Sequence, residues 1–125
     1  MKTFKAFCDE RLTNATPITE SKIFLDDIEE VTKENYEFRK VLYTGRHLQL
    51  VLMTLNPGEE IGEEIHNGDQ FFRFEEGEGT VVINDIEHKV ESDYGLIVPM
   101  GIRHNIINTG TTPLKLYTLY SPPQH

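Results

Sequence analysis

Two short stretches of the sequence, Gly62–Gly77 and Gly95–Asn108, carry side chains that can bind a metal ion. The set consists of one carboxylate, one amide and two imidazoles: Glu64, Gln70, His66 and His104. Divalent ions accept all three kinds of ligand in proteins. Four protein ligands would leave one or two positions open on an ion of coordination number about five or six. Such an ion can polarise a carbonyl group, bind an enediolate or activate dioxygen.

The positions of Glu64, His66 and Gln70 differ by even numbers. A regular strand turns successive side chains to opposite faces, so residues of equal parity share one face. We therefore expect these three side chains to point the same way, unless a turn at Asn67–Gly68 interrupts the strand. His104 has to reach them from a distant strand.

The spacing of both stretches resembles the motifs of the cupin family. The family's first motif has two histidines one residue apart, then a glutamate, then a closing glycine. In this sequence Glu64 stands at the first histidine, His66 matches the second, Gln70 stands at the glutamate and Gly77 matches the closing glycine. The second motif is matched at every fixed position, which are Gly95, Pro99, Gly101, His104 and Asn108. The similarity extends over roughly residues 38–121 and includes small cupins loosely labelled phosphomannose-isomerase-like.

The resemblance implies an all-β fold, a double-stranded β-helix or jelly roll, with an N-terminal extended arm. Residues 1–37 would form the arm, packed on the barrel or on a partner subunit, and residues 38–125 the cupin β-barrel domain. It also implies a homodimer and a divalent metal ion, with Mn, Fe, Zn or Ni as candidates. The family's usual ligands are three histidines and one glutamate. Here the resemblance gives Glu64, His66, Gln70 and His104, which keeps four ligands and one negative charge but favours a harder ion.

Independent strand signals support this fold class. Short segments rich in β-branched and aromatic residues alternate with turn residues, and no strong helix pattern is present apart from one or two possible turns within residues 26–35. The predicted strands are residues 38–44, 47–55, 69–75, 80–83, 87–90, 96–98, 102–107 and 114–120. On parity and position, four residues are predicted to line the barrel beside the metal as substrate-lining candidates: Phe72, Phe74, Met53 and Tyr117.

Composition excludes several classes of partner. The chain has 125 residues, with 12 basic and 21 acidic side chains and a net charge of −9. This charge disfavours binding to nucleic acid or to an anionic membrane surface. Cys8 has no partner for an internal disulfide, and the N-terminus lacks the apolar run of a signal peptide. The sequence therefore predicts a cytoplasmic protein whose partner is a small-molecule ligand.

Two classes of function remain open at this stage. One is a metal-dependent enzyme, of isomerase or dioxygenase type, acting on a small polar metabolite such as a sugar or an oxo acid. The other is a non-catalytic cupin that binds or senses a small ligand, and the absence of an evident general base favours it. A metal-free structural cupin is a third possibility. A phosphate site would need clustered basic groups, and near the motifs only Arg73 and Arg103 qualify.

Overall fold

One short helix and eight strands make up the fold in the computed structural model, which describes residues 22–124. The elements follow the chain as α1 (Ile28–Glu34), β1 (Lys40–Thr44), β2 (Gln49–Leu55), β3 (Asp69–Glu76), β4 (Glu78–Ile83), β5 (Ile86–Glu91), β6 (Gly95–Val98), β7 (His104–Ile107) and β8 (Leu114–Ser121). Each of the eight predicted strands has a counterpart, with boundaries shifted by up to two residues. The predicted all-β fold class is confirmed.

The strands form two antiparallel sheets that enclose one core. The larger sheet has the order β1-β2-β8-β3-β6, and the smaller one has the order β5-β4-β7. Their inner faces supply a shared apolar cluster that includes Phe72, Phe74, Val81, Ile106 and Leu116. Burial of these side chains drives the two sheets together. This arrangement is the double-stranded β-helix expected from the sequence.

Turn chemistry explains where several strands begin and end. Asn84 and Asp85 both have positive φ, 48° and 70°, so they form the tight two-residue connection between β4 and β5. Strand β6 ends at Val98 because Pro99 has no N–H for the ladder. Asn108, at the end of the second motif, donates from its amide to the carbonyls of Leu55 and Thr112 and so joins two loops.

The N-terminal region is only partly covered by the described residues. Residues 1–21 of the predicted arm lie outside them. The remainder is not extended throughout, because it contains α1, which Asp27 caps by accepting from Glu30 N at 3.1 Å. Helix α1 contacts β8 and β3. It spans seven residues, and among residues 22–124 no helix is long and apolar enough to cross a membrane.

The segment before β3 connects the two sheets and contains the predicted ligands Glu64 and His66. Isolated bridges pair Glu60 with Ile107 and Glu64 with His104, so residues 60–64 run along the free edge of β7 in the smaller sheet. The chain then bends at Asn67–Gly68 and enters β3 in the larger sheet. A Cβ atom at Gly68 would overlap with the carbonyl oxygen of Ser121, so this crossing requires glycine.

Candidate metal centre

Backbone pairing brings the two sequence motifs side by side. Glu64 N donates to His104 O at 2.8 Å, and His104 N donates to Glu64 O at 3.0 Å. Farther along, Gly101 N donates to His66 O at 3.0 Å. Gly101 has a φ of +84°, a conformation that favours glycine at this point of the second motif. The fixed positions of the two motifs therefore have a structural role, because they hold Glu64, His66 and His104 next to one another.

The side chains of these three residues converge on one point. One ligand atom from each of Glu64, His66 and His104 lies within 4.8 Å of the other two. The Nε2 atom of His66 is 3.1 Å from the Oε1 atom of Glu64. The side chain of His104 is buried, and those of His66 and Glu64 are 16% and 34% exposed. The cluster is thus closed on one side and accessible on the other, as a site for an exchangeable ligand requires.

Gln70 reaches the same cluster from the opposite sheet. The strand is interrupted at Asn67–Gly68, the point where the sequence allowed for a turn, so Gln70 does not share one regular strand with Glu64 and His66. The predicted convergence nevertheless occurs, since β3 turns Gln70 inward and its Oε1 atom lies 3.1 Å from Nε2 of His104. Gln70 is 2% exposed. The four side chains therefore come from both sheets.

The hydrogen bonds around Gln70 and His104 indicate what can bind between them. Nδ1 of His104 faces the carbonyl of Ile102 at 2.9 Å and must donate to it, which leaves a lone pair on Nε2 in the neutral ring. The Gln70 amide donates to Thr118 Oγ1 at 2.9 Å, and that hydroxyl donates to Phe71 O at 2.9 Å. This network directs the amide oxygen of Gln70 toward His104.

With a neutral His104 ring, two acceptors therefore face each other across 3.1 Å in a buried setting, and the contact becomes a hydrogen bond only when the ring carries a second proton. Such an arrangement is unfavourable unless a cation lies nearby, because both lone pairs lose their water on burial. A divalent ion bound by Nε2 and Oε1 would satisfy both atoms. The hydrogen bond from Nδ1 to a backbone carbonyl is also the usual way in which a ligating histidine is oriented. The side chains therefore fit a metal ion.

Three of the four predicted lining residues lie on the inner face. Phe72, Phe74 and Met53 are all buried in the core cluster, and the Phe72 ring centroid is 5.9 Å from that of His104. The prediction that Tyr117 lines the site is wrong. Tyr117 pairs with Arg73 on the outer face of the sheet, and its ring contacts Phe71 at 6.3 Å, so it does not reach the site.

The aromatic residue of β8 that does reach the site is Tyr120, which the sequence analysis missed. Its ring meets that of His66 edge-on, with centroids 5.3 Å apart. Burial raises the pKa of the Tyr120 hydroxyl and the charge of Glu64 raises it further, while Arg39 and hydrogen bonding to Gln70 offset this only in part. The hydroxyl therefore stays protonated near neutral pH. The inward positions of β8 have even numbers, as the buried Leu114 and Leu116 show.

The basic residues that the sequence placed near the motifs lie outside the site. Arg73 pairs with Asp93 at 3.0 Å on the outer face of β3. Arg103 pairs with Asp85 at 2.7 Å and with Glu63 at 3.1 Å. Both guanidinium groups are thus balanced by surface carboxylates, and neither contributes to the cluster.

Fold and site together define a small double-stranded β-helix with an inward-facing Glu/His/His group that could hold a metal ion. The chain belongs to the cupin family, because the family described as "Cupin domain" matches residues 51–120, more than half of its length. The matched region contains all four converging side chains.

Comparison with individual proteins agrees with this assignment. The uncharacterized protein YrkC of Bacillus subtilis is 48% identical over 111 residues, which cover 83% of this chain and 60% of the relative. This chain thus spans about three fifths of that relative's length. A crystal structure of BH2720 from Bacillus halodurans is 44% identical, with a TM-score of 0.80 over 90% of this chain and 86% of that one. The tetracenomycin polyketide synthase protein TcmJ of Streptomyces glaucescens is 36% identical over 69 residues, covering 54% of this chain and 46% of the relative.

Proposed function

We propose that the protein is a metal-dependent cupin enzyme that acts on a small polar metabolite such as a sugar or an oxo acid. Glu64, His66, Gln70 and His104 would hold one divalent ion, with Mn, Fe, Zn and Ni as the candidates. The observation that carries the proposal is the pair of facing acceptors, His104 Nε2 and Gln70 Oε1, beside the Glu64–His66 pair. A bound divalent ion supplies Lewis acidity toward a carbonyl or hydroxyl oxygen.

The residues around the ligands would shape the environment of the substrate. Phe72, whose ring contacts that of His104, and the core residues Phe74 and Met53 would exclude water from the inner side of the site and so strengthen electrostatic interactions within it. The protonated hydroxyl of Tyr120 is available as a hydrogen-bond donor at the side of His66. With Glu64 as the single anionic ligand, the occupied site would carry one net positive charge, which favours an electron-rich substrate oxygen.

A non-catalytic binding or sensing cupin is the second candidate. One observation favours it: among the described residues, no further carboxylate or imidazole joins Glu64, His66 and His104 in the group whose ligand atoms lie within 4.8 Å of one another, so the group contains no separate general base. The name of the Streptomyces glaucescens relative associates that protein with polyketide synthesis, which is compatible with a ligand rich in carbonyl oxygens. Both candidate functions require the same bound ion, and they differ in whether the protein converts its ligand into a product.

Elemental analysis of the purified protein tests the proposal. We expect one divalent ion per chain after dialysis, and its removal by a chelator to abolish any turnover of sugars or oxo acids. Stoichiometric metal without turnover across these substrate classes would favour the binding module. A metal-free protein that takes up no ion from solution would refute both candidates and leave a structural cupin.

We further propose a homodimer in which the N-terminal arm, residues 1–37, packs against the barrel of either the same or the partner subunit. Ile23 and Leu25 are 65% and 57% exposed, and Val41 on the edge strand β1 is 44% exposed. Burying these side chains against a second copy would stabilise the assembly. Light scattering at micromolar concentration should give about twice 14.4 kDa.

Two variants sharpen this measurement. Ile23→Ser combined with Leu25→Ser should shift the population toward monomer, since it removes exposed apolar area from the arm. Ile86→Ser, equally exposed but on β5 of the other sheet, serves as the matched control and should leave the mass unchanged. A wild-type mass near 14.4 kDa would contradict the dimer.

A further inference from the structure

The inner face of the larger sheet carries a row of three polar side chains that begins at the proposed metal centre. Gln70, Tyr120 and Gln49 pair directly across β3, β8 and β2. Gln49 has the same parity as the core residues Val51 and Met53, so it faces inward. Like Gln70, it is 2% exposed. The row therefore leads from the proposed metal centre across Tyr120 to Gln49.

The segment that follows β8, residues 122–124, contacts the end of this row, and we call it the strap. At its start, Pro122 packs so closely against the bend before β3 that a Cβ atom at Gly68 would overlap with it. At its end, Gln124 N donates to Gln49 Oε1 at 3.2 Å. Strand β8 lies between β3 and β2, so the strap crosses the end of β8 from one neighbour to the other.

The strap lies at the same end of the barrel as the accessible part of the metal centre. The bend that Pro122 contacts directly follows His66 in the sequence. Tyr120, the last inward residue before the strap, rests edge-on against the His66 ring with centroids 5.3 Å apart. Pro122 is exposed, and Pro123 and Gln124 are half-buried. The strap therefore borders the entrance to His66 on the side of the larger sheet.

The composition of the strap limits how firmly it can be held. Pro122 and Pro123 have no N–H, so Gln124 supplies the one backbone donor of the strap. The acceptor is the side chain of Gln49, whose amide nitrogen donates to Thr44 Oγ1 at 3.1 Å and so fixes the orientation of the group. A segment with so few backbone donors opens locally at a low cost in free energy.

We infer that the strap controls the access of ligands to the proposed metal centre, and that the hydrogen bond between Gln124 N and Gln49 Oε1 holds it closed. The inference rests on the proposed function. With this bond formed, the strap narrows the entrance beside His66 and restricts it to small molecules. When the bond breaks and the strap lifts, the entrance widens along the row from Gln70 to Gln49. The strap thus determines the size of the ligand that reaches the centre.

The reactivity of the His66 imidazole with diethyl pyrocarbonate, measured in the metal-free protein, tests the inference. Peptide mass spectrometry gives the rate at which His66 is modified, with the exposed His88 on β5 as the internal reference. Gln124→Pro removes the N–H donor and should raise the His66 rate about 2- to 10-fold relative to His88, the factor that one net hydrogen bond contributes to an equilibrium. Deletion of residues 122–125 should raise the rate at least as much.

Gln124→Ala is the matched control for the loss of the donor. It keeps the backbone N–H and removes only the side-chain amide, which donates to Pro122 O within the strap. The His66 rate in this variant should equal that of the wild type. A deletion variant with the wild-type rate would overturn the inference, as would equal rates in Gln124→Pro and Gln124→Ala.

Metal binding separates control of access from support of the ligands. Gln124→Pro should bind a divalent ion with wild-type affinity in equilibrium dialysis, because a strap that only controls access touches none of the four ligands. A lowered affinity would show that the strap positions the ligands, and would overturn the inference.

The failure of the proposed function can be told apart from the failure of this inference. If the wild type takes up no metal, the proposed function fails, but the His66 rates are measured without metal and still decide whether the strap controls access. Stoichiometric metal together with a His66 rate that is the same in all variants would leave the proposed function intact and overturn the inference about the strap.

Discussion

Replacing both His66 and His104 by alanine is expected to abolish stoichiometric binding of a divalent ion. The two imidazoles provide the nitrogen atoms of the cluster, and their removal leaves only the oxygen atoms of Glu64 and Gln70. Loss of a single residue that merely supports a ligand lowers metal affinity about 10- to 100-fold. Loss of two ligands should therefore exceed about 100-fold, which equilibrium dialysis with elemental analysis will measure directly.

The matched control is the pair of exposed histidines, His47 and His88. Replacing both by alanine changes composition in the same way but should leave one ion per chain. His104 is buried and its Nδ1 atom is bonded to Ile102 O, so its loss also costs stability, and circular dichroism must show that the variant is folded. His66→Ala alone, at a less buried position, guards against this complication. A folded double variant that retains stoichiometric metal would disprove the assignment.

The second large effect is expected from exchanging the carboxylate of Glu64 and the amide of Gln70. Glu64→Gln removes the proposed site's single anion and leaves the full charge of a divalent ion uncompensated beside Phe72, so metal affinity should fall sharply. Gln70→Glu should tighten metal binding by adding a second carboxylate, and should make the site neutral and a poorer Lewis acid. Combining both changes restores one anion and should recover much of the affinity.

The structure adds a second readout for these variants. Gln70 is 2% exposed, so a carboxylate in its place is costly in the metal-free protein, and Gln70→Glu should lower the midpoint of thermal unfolding without metal. Adding metal should raise that midpoint more than in the wild type. Glu63→Gln, the neighbouring and more exposed acid that pairs with Arg103, is the control and should change neither property. Wild-type metal affinity in Glu64→Gln would remove Glu64 from the site.

Local patterns predicted the fold well because strands and turns are encoded over short distances. Asn84–Asp85 between two apolar segments indicates a tight hairpin, and Pro99 indicates a strand end, and both are found where expected. The extent of the N-terminal arm was less predictable. Helix α1 depends on the cap at Asp27 and on contacts with β8 and β3, which are distant in the sequence. Such contacts produce no recognisable periodic pattern of apolar residues in a segment of only seven residues.

The sequence predicted that the four side chains converge, but not how the chain brings them together. The resemblance to the cupin motifs placed Glu64, His66, Gln70 and His104 together, although Gln70 arrives on another sheet after the bend at Gly68. Tyr117 was chosen in place of Tyr120 because β8 carries apolar residues at both parities, and only its pairing with β3 fixes the inward set.

The origin of the four side chains in two different sheets has a mechanical consequence. Glu64 and His104 belong to the edge of the smaller sheet, whereas Gln70 belongs to the larger one. A metal ion shared among them would tie the two halves of the sandwich together as a cross-link does, in addition to the apolar contacts between them. Sliding or splaying of the sheets would then require rupture of metal–ligand bonds, so occupancy of the proposed site would also govern the rigidity of the whole barrel.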